Sequence, residues 1–199
     1  MNKRELILNT MQELFREGKA GTASVSDIAK RAGIAKGGLY YYFDSKEAVM
    51  DALVEREYEN IISDCQKKLD SCTLNATGKM ALLLYTYTSS YVDPSLDEYL
   101  HLPQNAAIHQ KSLAKILLSL SSLVTQIIEQ GIKEGIYKCE YPEEYSHIIL
   151  SVFTFLMDPG IFDWTDLQKI RNLQALATML EQSLQAPDGS FSFLHNPNA

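Results

Sequence analysis

Lysines and tyrosines stand close together in the first quarter of the chain, at spacings that suit a nucleic acid. Lys36 precedes Tyr40, Tyr41 and Tyr42, and Lys46 follows them. A lysine near a helix start can reach guanine O6 or N7, while a tyrosine can donate to a phosphate and pack its ring on a sugar or thymine methyl group. We predict that Lys36 and Tyr41 contact base edges. Lys46, beside the free backbone N–H groups of the helix that begins there, is predicted to bind a phosphate.

Two short helices and a glycine turn must position these side chains. Ser24 can cap the first helix while Asp27, three residues later, completes a capping box. This helix is predicted to end at about Ala32. Gly33 can take the positive φ of a tight turn without steric cost, and a second helix is predicted to begin near Lys36. The pattern is typical of a helix-turn-helix, whose second helix enters the major groove of DNA.

The second helix contains three consecutive tyrosines and two glycines. Successive helical positions point about 100° apart, so Tyr40, Tyr41 and Tyr42 cannot share one buried face, and at least one is expected to be exposed. Gly37 and Gly38 each cost about 1 kcal/mol of helix stability relative to alanine. We predict that this helix frays without DNA and that the glycines allow its backbone to approach the groove closely.

A family resemblance rests on the same residues. The chain resembles the tetracycline-repressor (TetR) family of bacterial transcription regulators, whose amino-terminal pattern has an Ile-Ala pair, an Ala-Gly pair and then Gly-x-Leu-Tyr-x-x-Phe-x-x-Lys-Glu. The matching residues are Ile28-Ala29, Ala32-Gly33, Gly37-Gly38-Leu39-Tyr40-Tyr41-Tyr42-Phe43 and Lys46-Glu47. So many fixed spacings are not expected by chance.

The resemblance implies an all-α protein with an N-terminal three-helix helix-turn-helix DNA-binding domain over residues 1–46 and a C-terminal helical effector-binding and dimerisation domain over 47–186. It implies a homodimer on a palindromic double-stranded DNA operator. Carried onto this sequence, the family's DNA contacts fall on Ser24, Ser26, Lys36, Gly38, Tyr40, Tyr41, Tyr42 and Lys46, and close backbone approach adds Gly37. Two positions depart from the family pattern: Ala35 replaces the usual capping serine, and Gly38 replaces a threonine, serine or alanine.

Charge is distributed unevenly along the chain. The formal net charge is −7, yet residues 1–46 carry eight basic and five acidic side chains, a balance of +3, and the remainder carries −10. A basic end on an acidic body would orient the protein on a duplex. Ordinary variation in surface charge is the alternative explanation.

Composition gives no sign of other protein classes. A chain of 199 residues with 46% hydrophobic content can bury a substantial core. No segment resembles a signal peptide or a membrane span, so we expect a cytoplasmic protein without membrane partners. Cys65, Cys72 and Cys139 show no paired spacing for a disulfide framework or a zinc site. No catalytic triad, phosphate loop or metal-ligand cluster is evident, so we expect neither an enzyme nor a cofactor.

The remaining sequence is predicted to be helical. The expected helices cover about 46–70, 77–92, 109–134, 142–157 and 165–185, with a short helix that starts at Ser95 with Glu98 and stops at Pro103. The family resemblance implies that the last two long helices pair with their copies as a four-helix bundle. A tail over 187–199, rich in Ser, Gly and Asn, is predicted to be flexible.

Candidate effector contacts are polar-tipped or soft side chains on the apolar helices. They are Cys65, Tyr87, Tyr91, His101, His109 and Phe153. For each, a role in core packing is the alternative, because aromatic residues on buried stripes usually only pack. Two functional hypotheses therefore remain. One is a repressor released by a small molecule; the other is a dimeric DNA-binding regulator whose C-terminal domain binds no small molecule and serves dimerisation or protein partners.

Overall fold

The computed structural model describes residues 2–90 and 93–196, and every regular element in those ranges is a helix. The α-helices are α1 (Lys3–Arg16), α2 (Val25–Arg31), α3 (Lys36–Tyr40), α4 (Lys46–Ser71), α5 (Ala76–Ser89), α6 (Pro94–Leu100), α7 (Ala106–Lys133), α8 (Pro142–Ser151) and α9 (Asp166–Ser183). Helix α8 continues directly as a π-helical turn, Val152–Leu156. Short 3₁₀ turns cover Pro103–Asn105 and Ser192–Leu194. The predicted all-α fold is confirmed.

Capping residues fix the starts of several helices. The expected capping box of Ser24 with Asp27 forms, and Thr165 with Gln168 forms a second one at the start of α9. The predicted start of the short sixth helix at Ser95 is wrong, because α6 begins at Pro94 and is capped by the Asp93 carboxylate, which accepts the Ser95 N–H at 3.1 Å. Proline suits the first helical position, since its missing N–H would have no partner there.

The chain divides into two compact units. The head unit consists of the described residues of Met1–Asn60 and Tyr91–Ser112. The body unit consists of the described residues of Ile61–Ser90 and Leu113–Ala199. The head unit therefore extends beyond residue 46, the domain boundary expected from the sequence, and it includes α6.

The inner faces of the first four helices form the core of the head unit. Ile7, Leu8 and Met11 of α1 are fully buried, and they pack in one cluster with Leu39 and Phe43. Burial of each such side chain contributes about 1.5–3 kcal/mol. Because Leu39 lies on α3 and Phe43 just after it, this cluster fixes which face of α3 points outward.

Helix α6 belongs to the head unit through contacts that are distant in sequence. The Arg16 guanidinium donates to the Asp93 carboxylate at 2.8 Å, across 77 positions of the chain. The rings of Phe15 and Tyr99 meet edge to face, with centroids 5.1 Å apart. The Tyr99 hydroxyl donates to Met50 Sδ at 2.9 Å. These contacts explain why the unit does not end where the helix-turn-helix ends.

In the body unit, Tyr137 joins the end of α7 to α5. Its buried hydroxyl shares a hydrogen bond with Thr77 Oγ1 at 2.8 Å. Its ring lies so close to Gly131 that a Cβ at this position would overlap it. Gly135, with φ of +75°, ends α7 and turns the chain so that Tyr137 can pack back on the helix.

The carboxyl-terminal segment, residues 187–196, folds back on the body unit, whereas its composition predicts a flexible tail. Phe191 is fully buried, and its ring stacks on Tyr137 with centroids 5.8 Å apart. The Phe191 N–H donates to the Glu181 carboxylate at 3.1 Å. Burial of the Phe191 ring in an apolar site stabilises a segment that otherwise contains many polar residues. Residues 197–199 of the expected tail lie outside the described residues.

One helical stretch, Pro103–Lys133, is long and apolar enough to cross a membrane, with a mean hydropathy of 1.3. Half of its most apolar window is buried inside the protein. The core helix of a soluble protein has the same length and composition, so this stretch gives only weak support for a membrane span.

Candidate nucleic-acid interface

Helix α2 and the turn after it have the geometry that the sequence predicts. The Ser24 N–H donates to the Asp27 carboxylate at 2.9 Å, and the Asp27 N–H donates to Ser24 Oγ at 3.2 Å. The Ser24 hydroxyl also donates to Asp27, and these bonds hold the pKa of that carboxyl below its usual range. Gly33 has φ of +66°, and the Ile34 N–H returns to the Ala29 carbonyl at 3.0 Å. Both ends of α2 are thereby fixed before α3 begins.

Helix α3 spans only Lys36–Tyr40, and its amino end has no side-chain cap, because Ala35 occupies the capping position. A Cβ added at Gly37 would meet nothing within 4 Å. A Cβ at Gly38 would lie 4.0 Å from Ile34 Cβ, an ordinary contact. Packing within the chain therefore does not require either glycine, which is consistent with a role for them against DNA.

The three tyrosines have different environments. Tyr41 is 82% exposed and Tyr40 is 46% exposed, whereas Tyr42 is half-buried against the head core. The prediction that at least one tyrosine is exposed is confirmed. Lys36 Nζ lies 5.9 Å from the centre of the Tyr40 ring, and the Tyr41 and Tyr42 rings meet edge to face at 4.9 Å. Lys36, Tyr40 and Tyr41 thus form one exposed patch, called here the α3 surface, and Tyr42 supports it from the core side.

Lys46 lies at the start of α4, where Ser45 caps the helix by accepting the Ala48 N–H at 3.1 Å. The Lys46 ammonium donates to the Gly21 carbonyl at 2.7 Å. Burial lowers the pKa of this ammonium, and the nearby Glu47 carboxylate opposes the shift. One of the three ammonium protons is therefore used to join α4 to the loop before α2, and two remain for an anion at this helix start.

Several cations of the head unit are neutralised locally. The Arg31 guanidinium donates to the carboxylates of Glu17 at 2.8 Å and Glu13 at 3.2 Å, and Lys19 donates to Glu17 at 2.9 Å. These bonds lower the pKa of Glu17 to about 2. Within residues 2–90 and 93–196, no ion pair involves Lys36. The positive charge closest to the exposed tyrosines is thus the one best able to meet a phosphate or a base.

The remaining predicted DNA contacts lie on α2 and at its cap. Ser24 and Ser26 are both exposed. The Ser24 hydroxyl already donates to Asp27 and accepts the Asp27 N–H, so one acceptor lone pair is its remaining hydrogen-bonding capacity. Two short helices joined by a glycine turn, with a basic and aromatic surface on the second helix, define a helix-turn-helix DNA-binding protein.

Comparison with known proteins agrees with this class. Residues 7–53 match the family described as "Bacterial regulatory proteins, tetR family", and residues 88–178 match "Tetracyclin repressor-like, C-terminal domain". The chain belongs to the TetR family and is a DNA-binding transcription regulator. This family consists of transcription regulators, which are not enzymes.

Individual relatives and structures support the assignment. The transcriptional repressor KstR2 of Rhodococcus jostii is 28% identical over 78% of this chain and 75% of its own. A TetR/AcrR-family regulator from Thermobifida fusca superimposes with a TM-score of 0.61 at 21% identity, over 98% of both chains. The regulator FadR of Bacillus subtilis, solved in complex with stearoyl-CoA, has a TM-score of 0.58 at 18% identity, over 98% of this chain and 99% of its own. At these identities the two structures establish the fold.

The candidate effector residues do not come together in one place. His101 and His109 lie in the head unit, where their rings meet edge to face at 4.8 Å. Cys65 and Tyr87 lie in the body unit; Cys65 is buried, and that burial, assisted by the neighbouring Asp64, raises the pKa of its thiol to about 11. Tyr91 lies outside the described residues.

Phe153 is the candidate effector residue that lines a large cavity. This cavity has a volume of about 820 Å³ and lies within the body unit. Its walls come from α5, from the π-helical turn that carries Phe153, from α9 and from the carboxyl-terminal segment. Sequence reasoning missed the other lining residues, although α5 gave a signal: Leu82 and Tyr85 make its second side apolar too.

Proposed function

We propose that this protein is a homodimeric, cytoplasmic repressor that binds a palindromic DNA operator through the α3 surface and is released by a small molecule bound in the body unit. The observation that carries the DNA-binding half is the exposed lysine and tyrosine patch on a helix whose opposite face is locked into the head core by Leu39. A recognition helix that packs on the core through one face and exposes the opposite face can present that exposed face to a DNA groove.

The exposure of the α3 surface and of the residues near it supports the following assignment of individual contacts. Lys36 and Tyr41, both exposed, are assigned to base edges. Tyr40, Ser24 and Ser26 are assigned to the phosphate backbone, as is Lys46 at the start of α4. Phosphate contacts set the position of the protein on the duplex, and base contacts set its sequence preference.

Exposed apolar side chains on α8 and α9 support the homodimer. Ile148 is 60% exposed, Leu167 is 66% exposed and Met179 is 62% exposed. Large apolar side chains on adjoining helices are a common mark of an interface between subunits. TetR-family regulators act as dimers. A two-fold symmetric dimer would present two copies of α3 to the two half-sites of a palindrome.

The cavity of the body unit supports control by a small molecule. Its volume of about 820 Å³ is within the range of small-molecule sites. Bacillus subtilis FadR, which shares the fold, was solved with stearoyl-CoA bound. We assign the effector of this protein to the body unit, and we propose that its binding shifts α4, which supplies residues to both units.

The operator can be found by incubating the protein with fragmented genomic DNA of its host and sequencing the retained fragments. We expect a palindromic motif with half-sites separated by one helical turn or more. If the retained fragments share no sequence motif, the proposal of sequence-specific DNA binding is refuted. Titration of the recovered operator against the protein then gives the affinity with and without candidate effectors, and equal affinities with the true effector would refute release.

Three substitutions test the assignment of contacts. Lys36→Ala and Tyr41→Ala should relax sequence preference and cost about 1–3 kcal/mol on the true operator. Lys46→Ala should weaken binding to all duplexes alike and reduce the salt dependence. Lys67→Ala, which removes an exposed lysine from the body unit, is the matched control and should leave DNA binding unchanged. If Lys36→Ala and Tyr41→Ala keep the sequence preference of the parent, the base-edge assignment is wrong.

A further inference from the structure

The cavity of the body unit has a lining that selects for one kind of ligand. Its walls include Leu82 and Tyr85 of α5, Phe153 of the π-helical turn, Leu173 of α9, and Leu194 with His195 of the carboxyl-terminal segment. No aspartate, glutamate, lysine or arginine lies among its described lining residues. A charge placed inside would therefore lose its hydration without gaining an opposite charge.

The polar groups in the wall of the cavity are few. The Thr88 hydroxyl donates its proton to the Leu84 carbonyl of its own helix at 2.8 Å, so it retains only acceptor capacity. The Tyr85 side chain is 70% exposed, which places it at the rim. His195 adds an imidazole. This set suits at most one or two hydroxyl or carbonyl groups on an otherwise hydrocarbon molecule.

Two local features show that this wall is not ordinary core. The wall residue Phe153 lies on a π-helical turn, Val152–Leu156, and such turns occur frequently at functional sites. The His195 Nδ1 is buried without a hydrogen-bond partner among the described residues. A buried nitrogen of this kind disfavours the closed position of the segment that carries it. By contrast, Phe191, four residues earlier, is fully buried and anchors the segment.

We propose that this cavity binds a neutral, predominantly hydrocarbon small molecule, with Phe193, Leu194 and His195 as a wall that yields on ligand entry while Phe191 stays anchored. This inference rests on the proposed function, since it names the chemical class and the location of the effector. A lining whose described residues include no lysine or arginine favours a neutral ligand over an anion with the same chain. The concave shape and volume favour a small molecule over a helix of a second copy.

The experiment compares three ligands with the same chain: 1-dodecanol, dodecanoate and dodecanoyl-CoA. Each displaces the neutral fluorescent probe N-phenyl-1-naphthylamine from the full-length protein. We expect 1-dodecanol to compete at a concentration at least about tenfold lower than either anion, because the anions cannot be paired inside the cavity. Tighter competition by dodecanoyl-CoA or dodecanoate would overturn the inference.

Ala81→Trp, which fills the cavity from α5, locates the binding site. It should abolish probe binding, whereas Ala114→Trp, at an exposed position of α7 in the same unit, should not. Circular dichroism and operator binding without ligand check that both variants fold, and Ala81→Phe provides a milder block if Ala81→Trp does not. Equal probe binding by the blocked and control variants would place the ligand elsewhere. A change of solution mass in Ala81→Trp alone would show that the cavity receives a second copy, which also overturns the inference.

Operator binding is measured separately from probe displacement, so that failure of this inference can be distinguished from failure of the proposed function. If 1-dodecanol binds in the cavity but the protein binds no specific DNA operator, the proposed function fails and the assignment of the ligand class stands. If another compound releases the operator equally well from Ala81→Trp and from the parent, the proposed function stands and the inference fails.

Discussion

Replacement of Gly37 and Gly38 by alanine should make the free protein more stable and its complex with DNA weaker. Neither added Cβ meets an obstacle: the one at Gly37 has open space, and the one at Gly38 would lie 4.0 Å from Ile34 Cβ. Neither glycine has a positive φ, so alanine adopts both conformations without strain. The stability of the free protein therefore gives no reason for two glycines in a five-residue helix.

The expected gain follows from helix propensity and chain entropy. Each change should stabilise the head unit by about 0.5–1 kcal/mol, or about 1–2 kcal/mol for the pair. For a chain of this length, the pair corresponds to a rise in Tm of roughly 2–8 °C. If the backbone of α3 touches the groove wall, the same two methyl groups should lower operator affinity by about tenfold or more, which is about 1.4 kcal/mol.

Thermal unfolding followed by circular dichroism measures the first effect, and fluorescence anisotropy with the operator measures the second. Gly21→Ala is the matched control, because it also adds a Cβ in open space at a glycine with ordinary φ, but in the loop before α2. Unchanged operator affinity in the stabilised double variant would refute the close-approach explanation. Amide exchange gives an independent check: if residues 36–42 of the free parent are as protected as the core helices, α3 does not fray.

Three further predictions concern stability and reactivity. Phe191→Ala should destabilise the body unit by about 3–5 kcal/mol in urea unfolding, because it empties a fully buried aromatic site. Phe193→Ala, at a half-buried ring, is the control and should lower the free energy of unfolding clearly less. Equal small losses in the two variants would mean that the carboxyl-terminal segment is not anchored. The thiol of Cys65 should resist iodoacetamide until the protein unfolds, since burial keeps it protonated with a pKa of about 11. The half-buried Cys72 should react first. Reaction of Cys65 before Cys72 would contradict this prediction. Because ion pairing lowers the pKa of Glu17 from 4.5 to about 2 in the folded state, its carboxylate stabilises the fold above about pH 4.5 and loses this contribution as the pH falls towards 2. The Tm difference between the parent and Glu17→Gln should therefore shrink over that interval, and a constant difference would argue against the assignment.

The sequence predicted the parts of this protein that depend on near neighbours. Ser24 and Asp27 interact three residues apart, and Gly33 takes its positive φ within a single turn, so both could be identified by local rules. The exposure of at least one of the three consecutive tyrosines also followed from helical spacing alone. At Ser95 the same local reasoning chose the wrong cap, because Asp93 stands two residues earlier and serves that role better.

By itself, then, the sequence determined the all-helical class and the helix-turn-helix, since each depends on residues within a few positions of one another. Only the tertiary structure decided that α6 joins the head unit through Arg16 and Asp93, that Phe191 stacks on Tyr137, and that Phe153 faces a cavity. Those features depend on residues that are distant in sequence. Their contact energies depend on packing in three dimensions, which the order of residues along one helix does not reveal.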